Sequence, residues 1–93
     1  MSLSIDDELR QRLETNLQPV HLEMHNDSAR HAAHVAAGKH GGAHFQIVVV
    51  SPKFTDESLV NRHRMVYGAV GDLMDSRIHA LSMKTLAPEE WQG

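Results

Sequence analysis

The chain has 93 residues, no cysteine, eight histidines and a formal net charge of −3 at neutral pH. Its length suits one small domain, which excludes a two-domain enzyme. Without cysteine the chain can form no disulfide, thiolate zinc site, thiol nucleophile or iron–sulfur cluster bound by its own sulfur. The acidic balance argues against nucleic-acid binding by phosphate neutralisation alone.

We expect a single domain over residues 1–93 and no membrane partner. No stretch approaches the about 18 to 20 consecutive apolar residues of a membrane span. Residues 1–7 lack the basic and apolar regions of a signal peptide. These features predict a soluble protein in the cytoplasm or an equivalent reducing compartment.

The first predicted element is a helix over residues 4–17. Its apolar residues are four apart, as on one helix face, namely Ile5, Leu9, Leu13 and Leu17. Ser4 followed by Asp7 fits a capping box at the helix start. After Pro19 the period changes to two, with Val20, Leu22 and Met24 as apolar residues, which predicts a strand buried on one face.

Residues 26–43 form a long, polar, glycine-containing connection in which His31, His34 and His40 occur. Long connections in small domains are often functional. The run from His44 to Val50 is the most β-prone of the chain, and its valines predict a central strand buried on both faces.

Helical spacing returns over residues 57–75, with the expected inward side chains Leu59, Met65, Val66, Ala69, Val70, Leu73 and Met74. We expect a turn at residues 62–64 to divide this stretch into a short and a longer helix.

A third strand follows over residues 78–85. Residues 88–91 are predicted as a short helix with Pro88 first and Trp91 packed on the core. The predicted order is helix, strand, strand, two helices, strand, helix.

Five histidines lie within twenty residues around the long connection, namely His25, His31, His34, His40 and His44. Histidine is the commonest metal ligand, and this chain has no thiolate. A preformed zinc site normally has paired ligands on rigid elements, and the sequence shows no such pair. On spacing alone, a solvated polar loop is favoured over a metal site.

The run Arg62-His63-Arg64 suits contact with phosphate or carboxylate groups, but a solvated helix face or an ion pair with Asp56 or Glu57 explains it equally well. His79 lies in the third predicted strand, where a lone histidine is more often structural than a ligand. No nucleophile, paired carboxylates or nucleotide-binding glycine loop can be assigned, so we do not expect an enzyme.

The chain strongly resembles the BolA family, and the resemblance extends from the first helix to Trp91. Four segments carry it. They are Arg62-His63-Arg64-Met65-Val66-Tyr67, His79-Ala80-Leu81, Val48 to Phe54, and Thr85 to Trp91. The resemblance implies an α+β fold similar to class II KH domains, with a three-stranded mixed sheet packed against helices. The predicted element order agrees with that fold.

The resemblance also implies an adaptor that binds a monothiol glutaredoxin. The two proteins would share a bridging 2Fe–2S cluster with glutathione, for iron–sulfur trafficking or iron sensing. The family's strand histidine falls on His79. Its second ligand comes from the loop between the first two strands, where Asp27 to His31 matches the loop start. His31 is therefore the first candidate and His34 the second.

A second activity implied by the resemblance is DNA-binding regulation of stress response and cell morphology. It would use the surface of the helix that carries Arg62, His63 and Arg64, together with Lys53. Family members commonly have a glycine where this chain has Asp56, and the added acid weakens the DNA interpretation. We expect the isolated chain to be a monomer or a weak homodimer.

Overall fold

The computed structural model describes residues 4–27 and 43–92. The main elements are α1 (Ile5–Leu17), β1 (His21–Asn26), β2 (Ala43–Val50), α2 (Leu59–Val70), α3 (Leu73–Ser76, one turn) and β3 (Ile78–Leu86). Short 3-10 turns follow β2 at Pro52–Phe54 and β3 at Pro88–Glu90. No helix within the described residues is long and apolar enough to cross a membrane.

The three strands form one mixed sheet in the order β1-β2-β3. β1 runs antiparallel to β2, with Leu22 opposite Val49, and β3 runs parallel to β2. A parallel pair needs a long crossover, which α2 and α3 supply here. The mixed sheet packed against helices confirms the predicted fold class.

The helix α1 begins where the sequence predicts. The hydroxyl oxygen of Ser4 accepts a hydrogen bond from the backbone N–H of Asp7 at 3.1 Å. Leu9, Leu13 and Leu17 form the buried stripe of the helix. They pack in one core with side chains of β2, α2, α3 and β3, including Phe45, Ile47, Val49, Val66, Val70, Leu73 and Ile78. This core lies between the helices and one face of the sheet.

The prediction that β2 is the central strand is confirmed, but its burial on both faces holds only at its end, where the adjacent Val49 and Val50 are both buried. Before that point the strand alternates between buried positions, such as Phe45 and Ile47, and more exposed ones, such as His44 and Gln46. Within residues 4–27 and 43–92, the helices pack on one side of the sheet. We call the opposite side the open face.

Two details of the helical prediction are also wrong. The helix α2 runs without a break through residues 62–64, and the interruption comes at Gly71, where φ is +62°. Leu59 is 62% exposed because it lies in the first turn of α2, beyond the core. Gly71 ends the helix, because this backbone conformation is one that glycine adopts without steric cost.

At the end of the sheet where β1 begins and β3 ends, Val20 and Trp91 also differ from prediction. Val20 precedes β1 and is 63% exposed instead of facing the core. Trp91 is half-buried and stacks on the ring of His21, with centroids 4.5 Å apart and ring planes 23° apart. The last turn therefore packs against the start of β1 through an aromatic contact.

Candidate functional site

The imidazole rings of His44 and His79 lie next to each other on the open face. Their centroids are 5.0 Å apart and their planes are tilted by 40°. His44 lies between the buried Ala43 and Phe45, and His79 follows the buried Ile78, so both side chains leave the sheet on the side away from the helices. His79 is exposed and His44 is partly exposed.

A shift in strand register brings the two rings together. Ala43 pairs with Ile78, but His44 pairs with Ala80, so His79 is an extra residue in β3 without its own partner in β2. Such irregularities are frequent beside functional sites, where they redirect a side chain. Here the irregularity places His79 beside His44.

Asp27, directly after β1, is engaged by other side chains. Asp27 Oδ1 lies 2.9 Å from His25 Nε2, and Asp27 Oδ2 accepts a hydrogen bond from the Gln46 side-chain amide at 2.7 Å. The backbone N–H of Asp27 donates to the carbonyl of His44 at 2.7 Å. These bonds fix the end of β1 against β2, beside the histidine pair.

The predicted loop ligands, His31 and His34, lie outside the described residues. Within residues 4–27 and 43–92, no group of three or more His, Asp or Glu side chains could hold a metal ion. A metal centre at His79 would therefore need ligands beyond the described part of the chain.

No sequence pattern marks His44 as a partner of His79. The two residues are 35 positions apart, and only the register of the parallel strands makes them neighbours. Each histidine lies near the start of a predicted strand. Because parallel strands begin at the same edge of a sheet, this position is the one feature of the sequence that could have predicted their proximity.

The side chain of Arg62 is built into the fold. Its Nη1 lies 2.6 Å from Glu90 Oε1 and donates to the carbonyl of Thr85 at 3.2 Å, while its Nε donates to the carbonyl of Glu57 at 2.9 Å. Only 11% of the side chain is exposed. The sequence offered Asp56 or Glu57 as carboxylate partners, but the carboxylate is that of Glu90, and Glu57 contributes its backbone oxygen.

The ion pair with Arg62 lowers the pKa of Glu90. The hydrogen bond from Arg62 and the backbone hydrogen bond from Ala87 hold the pKa of Glu90 below its ordinary value. Both interactions favour the charged carboxylate.

The remaining cationic candidates are accessible. Lys53, in the turn after β2, and Arg64, on α2, are exposed, and His63 is partly exposed. Asp56 is exposed beside them in sequence and has φ of +65°, a conformation that glycine adopts most easily and aspartate tolerates. This backbone angle gives a physical reason for the glycine that the resemblance implies at this position.

Comparison with known proteins places the chain in a family. A family profile described as BolA-like protein matches residues 13–90. The DNA-binding transcriptional regulator BolA of Escherichia coli is 37% identical over 91 residues, which cover 98% of this chain and 83% of that protein. BolA-like protein 1 of Mus musculus is 37% identical over 84 residues, and the match spans 90% of this chain but only 58% of the mouse protein.

Comparison with solved structures also finds BolA proteins. BolA1 from Arabidopsis thaliana superposes with a TM-score of 0.84 at 30% identity, covering 99% of this chain and 100% of the other. The mixed three-stranded sheet and the helices on one side are thus shared with a solved relative. The chain belongs to the BolA-like protein family.

Proposed function

We propose that this protein is an adaptor that binds a monothiol glutaredoxin and contributes imidazole ligands to a shared 2Fe–2S cluster. The observation that carries the proposal is the exposed His79 on the open face, with the imidazole of His44 5.0 Å away. Neutral imidazole is a good ligand for iron, and His79 is the position that the family resemblance assigns to a ligand.

Because this chain has no cysteine, the proposal takes the sulfur ligands of the cluster from the partner. Iron–sulfur clusters are held mainly by thiolates, with histidine replacing cysteine at one iron in Rieske centres. This chain has eight histidines and no thiol. A glutaredoxin cysteine and glutathione would supply the thiolates, and His79 with His31 or His34 would supply the imidazole nitrogens.

Reconstitution of the cluster in the complex tests this function. Visible circular dichroism is compared for wild type, His79→Ala and, as a matched control on α2, His63→Ala. The proposal expects the spectrum to change or disappear in His79→Ala and to stay the same in His63→Ala. An unchanged spectrum in His79→Ala would remove His79 from the ligand set.

DNA-binding transcriptional regulation is the second candidate function, because the Escherichia coli relative carries that name. In this chain Lys53 and Arg64 are exposed and could contact phosphates, whereas Arg62 is held by Glu90. Each phosphate contact contributes about 0.9 to the slope of log K against log salt concentration. The double variant Lys53→Ala/Arg64→Ala should therefore lower the slope by about 2, and an unchanged slope would exclude this surface.

A further inference from the structure

We propose that His44 and His79 together form a chelating site for a borderline transition-metal ion, with His44 as the second imidazole donor of this chain. The inference deepens the proposed function and depends on it for the biological role of the site. It differs from the sequence-based expectation, which takes the second donor from His31 or His34.

The separation of the two rings suits a shared metal ion. With a metal–nitrogen distance of about 2.1 Å, the metal lies about 3.2 Å from each imidazole centroid. At a tetrahedral angle, two such centroids are about 5.2 Å apart. The observed separation of His44 and His79 is 5.0 Å, so little movement of the backbone is needed to bind both rings to one ion.

The rings of His44 and His79 are not stacked face to face, unlike those of His21 and Trp91. His21 and Trp91 stack with planes 23° apart and centroids at 4.5 Å, which is typical of face-to-face packing. His44 and His79 are more widely separated and tilted by 40°. This arrangement is compatible with two ring nitrogens that converge on one point.

The backbone supports both donors from adjacent strands. The register shift at His44 makes His79 the extra residue of β3, and the buried pair Ala43 and Ile78 anchors the two strands directly before the histidines. Sites built on strands hold ligands more firmly than sites on loops. Two donors leave further coordination positions open, as expected of a site completed by a partner.

Zinc titration of the isolated chain tests the proposal, with imidazole nitrogen resonances observed by long-range ¹H–¹⁵N NMR. We expect resonances of His44 and His79 to shift together with one midpoint, while those of His21 and His63 stay unchanged. A shift of His79 without His44, or of neither, would overturn the proposal. This measurement on the wild type does not depend on the folding of any variant.

Substitution supplies a second readout. His44→Gln and His79→Gln should each weaken zinc binding by at least about tenfold. Loss of a residue that only hydrogen-bonds to a metal ligand already lowers metal affinity by about that factor. His63→Gln is the matched control and should bind zinc like the wild type. Unchanged affinity in a folded His44→Gln variant, as judged by its amide spectrum, would overturn the proposal.

The two proposals fail in distinguishable ways. If zinc binds both rings but the glutaredoxin complex holds no cluster, the chelating pair stands and the adaptor function fails. If the cluster spectrum depends on His79 while zinc leaves His44 unaffected, the adaptor function stands and the role of His44 fails.

Discussion

Arg62 and Glu90 join the first half of α2 to the turn after β3, with 2.6 Å between Nη1 and Oε1. The guanidinium also lies 6.0 Å from the centroid of the Phe54 ring and donates to the carbonyls of Glu57 and Thr85. One cation thus connects α2, the turn after β2, the end of β3 and the last turn. The first arginine of the Arg62-His63-Arg64 run therefore serves the fold.

Removal of Arg62 should destabilise the protein much more than removal of Arg64. Arg62→Ala leaves two backbone carbonyls without their charged donor, which costs on the order of 2 kcal/mol. Arg64 is exposed, so Arg64→Ala should change the free energy of unfolding by less than about 0.5 kcal/mol. Urea unfolding followed by circular dichroism measures both, and equal stabilities would contradict the structural role of Arg62.

Glu90 should make stability depend on pH in the acid range. Its pKa is lowered in the folded state by Arg62 and by the N–H of Ala87, so its contribution is complete above about pH 5 and is lost as the pH falls through the lowered pKa. The stability difference between wild type and Glu90→Gln should therefore shrink as the pH falls below about 5.

Glu89→Gln is the control for this prediction, because it removes one negative charge from the adjacent exposed residue. Urea unfolding of the three proteins at several pH values between about 3 and 7 gives the comparison. If the difference between wild type and Glu90→Gln stays constant down to the lowest pH, the carboxylate–guanidinium bond does not stabilise the fold.

Gly68 and Gly71 should respond to alanine in opposite directions. Gly71 has φ of +62°, and a Cβ there would lie 3.1 Å from Arg12 Nη1, which donates at 2.7 Å to both Val70 O and Asp72 Oδ1. Gly71→Ala should cost about 1 to 3 kcal/mol. Gly68 lies inside α2 with open space around it, so Gly68→Ala should stabilise the protein by about 0.5 to 1 kcal/mol.

Thermal unfolding of the two glycine variants checks the assignment of the helix end. A lower Tm for Gly68→Ala than for Gly71→Ala would mean that α2 ends before residue 68 rather than at Gly71.

Asp56 should oppose any binding of DNA by the neighbouring cations. Asparagine removes the charge and also tolerates positive φ, so Asp56→Asn should leave the fold unchanged. If DNA binding uses Lys53 and Arg64, this variant should bind about two- to threefold more tightly at low salt, with the gain fading as salt rises. Fluorescence anisotropy with labelled duplex DNA measures the affinity of both proteins. Equal affinity at low salt would mean that DNA does not bind at the surface of Lys53 and Arg64.

Local elements were predictable because their signals are local. The leucine spacing and the Ser4 cap define α1, and alternation defines β1. The run of valines in β2 correctly indicated the buried end of the strand but not the exposure of His44 and Gln46, because propensity reports that a strand is apolar but not how many layers cover each part of it. Burial on the second face depends on what packs there, and none of the helices in the described part of the chain packs on it.

The pair of His44 and His79 was only partly predictable, because contacts remote in sequence decide it. His79 could be selected through the family resemblance, but its neighbour His44 depends on the register between parallel strands joined by a long crossover. The partner of Arg62 is similarly remote in sequence, at Glu90, although nearer acids were available. Tertiary contacts decided both cases, and no local pattern encodes them.

The most direct test of the central claim is pulsed EPR of the reduced cluster in the glutaredoxin complex, with ¹⁵N-histidine introduced only into this chain. The account predicts a strong ¹⁵N coupling that is retained in His63→Ala and lost or reduced in His79→Ala. A cluster that shows no ¹⁵N coupling to this chain would contradict the claim that the protein contributes imidazole ligands.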